Sequence, residues 1–253
     1  MSDLPDLTSL RISEKPDDPW DKWVDALTDG AGWSARPAFR TWRGVSARQK
    51  HRFYDLINQS ENDRFSDGQY NAPYTDDDID VILRTGSWSI EHVLPRAAVN
   101  GRAPGEAEED WLGWDVADSR ANSTRSNLPL VLWPTPGMEA GRVRLEDDPQ
   151  THFNPVEAHK ARLARKWLFL RATYSRIDLL DVPSTSQQRH ADAIVANVRE
   201  TRIGYAERRF QVLLEEHVSS SSGATWSNPL YGPRADDFLT DADWKALVFQ
   251  APR

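Results

Sequence analysis

The sequence predicts an α+β fold, mostly helical, built around one short β element near the middle of the chain. Three observations lead there. Leu163, Trp167, Leu170 and Tyr174 recur at three- to four-residue spacing within 156–174, the mark of a helical face. A second helical stretch, 186–217, carries Ile194, Val198, Ile203, Phe210, Leu213 and Leu214 through mixed charge, with Gly204 as a bend. Between them and the N-terminal third the pattern turns extended, at 88–94, 128–137 and 141–148.

In chain order, residues 1–18 read as a mobile arm and 19–84 as an N-terminal helical region. Asp18 caps a helix that Pro19 opens and Gly30 ends, with Trp20, Trp23, Val24 and Leu27 on its core side. Residues 37–58 form a linker and a second helix from near Ser46. Their Arg40, Arg43, Arg48, Lys50 and Arg52 are either a solvated face or a contact to a nucleic-acid backbone. A polar loop covers 59–77, and a short helix spans 75–86 behind a Thr-Asp cap. Residues 85–180 make the core of the protein. Within it 100–109 is a polar insertion, and Trp111 to Trp114 either cover a site or begin a second strand. No clean second strand is visible. Residues 181–253 add the long helix, a Ser/Gly linker at 219–223, and a tail whose Trp226, Trp244, Leu247 and Phe249 should pack back on the core or bind a partner.

The chain is 253 residues long, enough for a substantial core, and its 39% hydrophobic and 28% charged content describes a soluble globular protein. No run is long and apolar enough to span a bilayer, and the N-terminal stretch lacks the basic-then-apolar order of a signal peptide. The absence of cysteine excludes a disulfide framework and any thiolate zinc site. A cytoplasmic protein with no membrane partner is the expectation. The net charge of −8 is unfavourable for nucleic-acid binding as a total, but its distribution is uneven. Residues 159–176 hold Lys160, Arg162, Arg165, Lys166, Arg171 and Arg176 with no acidic residue, while acids gather at 15–26, 75–80, 106–118 and 236–243. That distribution leaves room for a basic groove on an acidic body.

The chemistry-bearing stretch is Ser89, Ile90, Glu91, His92, Val93, Leu94, Pro95. Phosphodiester hydrolysis needs a base for water, a cation for the charge on the phosphoryl oxygens, and donors that hold the phosphate in line. An imidazole suits the first task and a carboxylate, as a hard ligand for Mg²⁺, the second. Neighbours on a strand point to opposite faces, so a shared site requires the strand to end there, as Pro95 suggests.

These residues, with 122–133 and 153–180 behind them, resemble the His-Me finger (HNH-like, ββα-metal) nucleases, over about residues 85–180. The Lys160 to Arg165 run, and more weakly the segment 226–233, are similar to the endonuclease I family of nonspecific DNases, with Ala161 where that family has glycine. The resemblance implies a ββα-metal finger and metal-dependent cleavage of DNA with one Mg²⁺ or Mn²⁺ ion. It implies His92 as general base, Glu91 and Asn122 as metal ligands, and Arg165 with Lys160 on the scissile phosphate. Asn127 competes with Asn122 for the metal, or is a turn residue. Arg125 is a surface arginine or a phosphate contact. Asp115 and Asp118 are further ligands, or caps and exposed acids; His152 and His159 are further site histidines or surface residues. Familiar members of that family are secreted or periplasmic, many with disulfides, and this cysteine-free chain departs from them. An intracellular nuclease needs restraint, by a regulatory protein or by a substrate requirement such as foreign DNA in a defence role. Two other readings stay open: a non-catalytic binding or regulatory module that keeps the finger, and an RNase.

Overall fold

The computed structural model describes residues 53, 55, 70–95, 111–174, 183–222, 228–231, 240, 242–244 and 246. The helix expected from Asp18, most of the 37–58 segment and the 100–109 insertion lie outside them. The described chain is α+β, with helices around two small antiparallel sheets. None of its helices is long and apolar enough to cross a membrane.

Helix α1 (Ile79–Thr85) buries Ile79, Ile82 and Leu83, one helical face. It stops at Gly86, whose φ of +71° lets the backbone turn while Gly86 N and Ser87 N donate to the carbonyls of Leu83 and Ile82. The chain then enters β1 (Trp88–His92), which pairs antiparallel with β2 (Trp114–Asp118); Trp88 faces Asp118 and His92 faces Trp114. Every residue of β2 but the last is buried, so it lacks the polar alternation that marks a half-exposed strand. Asp118 ends β2 and caps α2 (Ser119–Arg125), its carboxylate accepting from Arg120 N and Ala121 N, both at 2.9 Å. The order is thus strand, strand, helix.

Strands β3 (Gly141–Leu145) and β4 (Asp148–Asn154) form a hairpin. The extended stretch at 141–148 contains β3; His152, read as a further site histidine or a surface residue, lies within β4 and is fully buried. Within the 128–137 stretch, Leu130 to Trp133 are buried and linked to β4 through Val131 N to Phe153 O at 3.0 Å. Helix α3 (Lys160–Tyr174) runs through the centre of the fold, with every residue from 160 to 171 buried. The helix expected over 186–217 is three: α4 (Thr185–Arg189), α5 (Ala191–Glu200) and α6 (Tyr205–Ser222). Gly204 lies in the break between α5 and α6, and α6 continues through Ser219 to Ser222, where a linker was expected. Asn228, Leu230, Tyr231 and Trp244 of the tail are buried, so that part packs on the body. Trp226, Leu247 and Phe249 lie outside the described residues.

An aromatic cluster fixes β2 in this body. Trp111 and Trp114 stack with centroids 5.4 Å apart, and Phe53 meets both edge-on at 5.7 and 5.4 Å. Phe210 of α6 closes the group on Phe53 at 5.6 Å and on Tyr70 at 5.2 Å. Gly113, just before β2, is in close contact with Leu170 of α3: a Cβ there would come within 2.5 Å of a Leu170 methyl.

Candidate functional site

β1 stays in register through His92, so it delivers Glu91 and His92 to opposite faces, and the single face expected for both side chains is not formed. Glu91 turns inward and is fully buried, opposite Asp115; His92, the last residue of the strand, is half-buried with its ring 5.4 Å from Trp114. Helix α2 packs against the inward face and makes two connections to β1. The Asn122 amide donates to Ser89 Oγ at 2.9 Å and to Ile90 O at 3.0 Å. One turn later, Arg125 is buried and donates to His92 O at 3.2 Å and Val93 O at 2.9 Å. The same guanidinium lies 3.2 Å from Glu91 Oε1. Arg125 is therefore neither a surface arginine nor open to a phosphate. It ties the end of β1, and with it the backbone of His92, to α2.

Burial pushes the Glu91 carboxyl up to about 7, against the pull of Arg125 and of the neighbouring Tyr74 hydroxyl. Both Glu91 carboxylate oxygens, Tyr74 Oη and Arg125 Nε are buried without a hydrogen bond of ordinary geometry. Glu91 Oε1 has the Arg125 guanidinium beside it, and a carboxylate without hydrogen bonds of ordinary geometry is one that a hard cation can take as a ligand. The Asn122 amide nitrogen faces β1, and no donor among the described residues reaches its carbonyl oxygen. Glu91 and Asn122 thus fit Mg²⁺ in donor type, with Arg125 as the competing positive charge on Glu91. Among the described residues no group of three His, Cys, Asp or Glu side chains is arranged to hold a metal ion.

The α3 cations are placed otherwise than the basic-groove expectation. Arg165 is buried and grips Glu207 with two bonds, Nε to Oε1 at 3.0 Å and Nη2 to Oε2 at 3.1 Å. Lys160 is buried on Glu157 at 2.9 Å, Trp133 O at 3.2 Å and Thr135 Oγ1. Arg162 donates to Asp115 Oδ2 at 3.0 Å, and Lys166 reaches Trp114 O and, at 3.8 Å, Asp115. Burial opposes the charge on Asp115, but Arg162 and Lys166 outweigh it and hold the carboxyl below its usual range. These donors are committed inside the fold because a helix enclosed on all sides must pair every charge it carries. Lys160 and Arg165 therefore present no surface to a phosphate.

Asp118 is a cap, and Asp115 is an interior ion-pair partner rather than a cap or an exposed acid. Asn127 sits exposed in the turn after α2, behind Ser126 with its φ of +52°. His152 joins Ser184 Oγ at 3.0 Å, Gln150 O at 3.1 Å and Asp148 at 3.5 Å, a closed interior network away from the surface. His159 pairs with Asp76 at 2.7 Å; burial lowers its pKa. The sequence reading missed Tyr74 beside Glu91 and the strand-holding role of Arg125. The second had a signal: Asp118 followed by a short helix-compatible run puts 122 and 125 one turn apart, on one face. No family model, curated protein or solved structure matches the chain.

Proposed function

We propose that this chain is a metal-dependent endonuclease of the ββα-finger type that hydrolyses DNA phosphodiester bonds. One observation carries the reading. In the β1–β2–α2 unit a histidine ends the first strand, and the following helix brings an amide onto Ser89 and Ile90 and a guanidinium onto Glu91. His92 is the base. It takes a proton from a water molecule whose oxygen attacks phosphorus; the bond to the 3′ oxygen breaks, and solvent protonates that oxygen. Arg125 acts through the backbone: by binding the carbonyls of His92 and Val93 it holds the imidazole at the edge of Trp114. Glu91 and Asn122 would hold a Mg²⁺ or Mn²⁺ ion, which supplies positive charge against the phosphoryl oxygens.

A second reading has its own observation. Arg125 already neutralises Glu91, the arrangement expected of a finger kept as a non-catalytic scaffold. Cleavage of supercoiled plasmid and of single-stranded RNA, each with Mg²⁺, Mn²⁺ or EDTA, separates the two for wild type and His92→Ala. The nuclease reading expects metal-dependent nicking that falls by about 100-fold or more in the variant, the usual contribution of a general base. His92 is half-buried with its ring against Trp114, so thermal unfolding of the variant is measured alongside to separate lost catalysis from lost fold. A wild type inert with every metal, or a His92→Ala protein as active as wild type, would sink it; cleavage confined to RNA would change the substrate.

A further inference from the structure

If α3 offers no cations to a polyanion, a nuclease must receive its substrate elsewhere. β3 alternates strictly: Val143 and Leu145 lean inward while Arg142 and Arg144 are exposed, about 7 Å apart by strand rise. Arg142 Nε donates to Thr124 O at 3.0 Å, which places its guanidinium at the last turn of α2. Thr124 lies one turn from Arg120, which is exposed, and its hydroxyl binds the Arg120 carbonyl at 2.9 Å. Arg120, Arg142 and Arg144 therefore line one strip across α2 and β3. No ion pair to a described residue engages any of them. Asp118, the acid nearest to Arg120 in the chain, is committed to the α2 cap, while Glu139 and Glu146 lie beyond the two ends of β3. Exposed Ser123, Thr124 and Asn127 add uncharged polar groups. The strip also adjoins the candidate site, because Thr124 is the neighbour of Arg125, which holds His92.

We infer that this strip receives the phosphate backbone of the nucleic acid. The inference deepens the nuclease reading and rests on it for its link to cleavage. Charge complementarity identifies the occupant: three exposed guanidiniums with no acidic partner among the described residues, on a chain whose net charge is −8, suit a polyanion tracked through its phosphates rather than its bases.

The test is fluorescence anisotropy of a labelled random-sequence DNA duplex, and of an RNA strand, with the full chain in EDTA over a salt series. The variants are Arg120→Gln with Arg144→Gln, the triple variant that adds Arg142→Gln, and Arg208→Gln as the control. Arg208 is exposed on α6, outside the strip. Arg120 and Arg144 are exposed and their side chains make no hydrogen bond or ion pair to a described residue, so the double variant remains informative if the triple one unfolds. Each lost arginine should lower the salt slope of DNA binding by about 0.9, with affinity at low salt falling roughly tenfold or more in the triple variant. Arg208→Gln should bind as wild type. Equal loss in Arg208→Gln, an unchanged slope in the folded double variant, or no DNA binding by wild type overturns the inference. Strip-dependent binding without cleavage keeps the strip and sinks only the nuclease; cleavage that ignores the strip variants does the reverse.

Discussion

Arg165 is the residue on which the surface and interior accounts of α3 differ most, and replacing it separates them. A phosphate-binding arginine can be removed from a nuclease with the fold intact. An interior arginine cannot. Arg165 makes the bidentate pair with Glu207 and donates to Val198 O at 3.2 Å and Thr201 O at 3.4 Å. Tyr231 Oη completes the group on Glu207 at 2.9 Å, so this contact joins α3, α5, α6 and the tail. Arg165→Met keeps the bulk of the side chain and deletes the charge, leaving Glu207 with the tyrosine alone and two carbonyls without a donor. Breaking a buried pair from one side costs about 3–5 kcal/mol. At about 2–4 °C per kcal/mol for a chain near this size, the melting temperature should fall by roughly 6–20 °C. Glu207→Leu on top of Arg165→Met removes the stranded carboxylate, and the double variant should regain most of the loss. Thermal unfolding by circular dichroism reads both steps. An Arg165→Met protein that melts within about 1 °C of wild type yet no longer cleaves DNA would refute the interior assignment and return Arg165 to the phosphate.

Two further predictions concern stability. Burial raises the Glu215 carboxyl to about 7, although Gln211 Nε2 at 2.9 Å and Asn228 N at 2.7 Å both donate to it. A carboxyl raised on folding contributes stability below its unfolded pKa and loses it as pH rises through the folded value. Glu215→Gln should therefore match wild type near pH 4 and exceed it above pH 7 by about 3 kcal/mol, measured from urea midpoints; a difference independent of pH would exclude the cause. Gly113→Ala forces the buried Leu170 side chain aside and should cost about 1–3 kcal/mol in the same assay; no loss would mean that α3 yields there.

Local physics made several elements legible in the sequence. The helix expected over 75–86 is present as α1 from Ile79 to Thr85, and the extended stretch at 141–148 contains β3. The position of Glu91 and His92 at the end of a strand follows from their neighbours and Pro95. β2 was hidden because its first four residues are buried, so no alternation survives to mark it. Gly204 marked a bend, but not a full break at 201–204, because the apolar residues on either side keep a helical rhythm across it.

What the sequence by itself determined is which side chains the strand end and the helices carry: the carboxylate beside the imidazole, the amide and the guanidinium one turn apart, the row of cations on α3. Only the tertiary structure decided which of those charges meet water. A lysine or arginine follows the same helical spacing whether it is solvated or enclosed. Its fate depends on the acids brought to it from far along the chain, and Asp115 for Arg162 and Glu207 for Arg165 lie 47 and 42 residues away. Burying a cation is tolerable only with such a partner in place, so pairing and burial are settled together when the fold closes. The same closure left Arg120 on α2 and Arg142 and Arg144 on β3 outside.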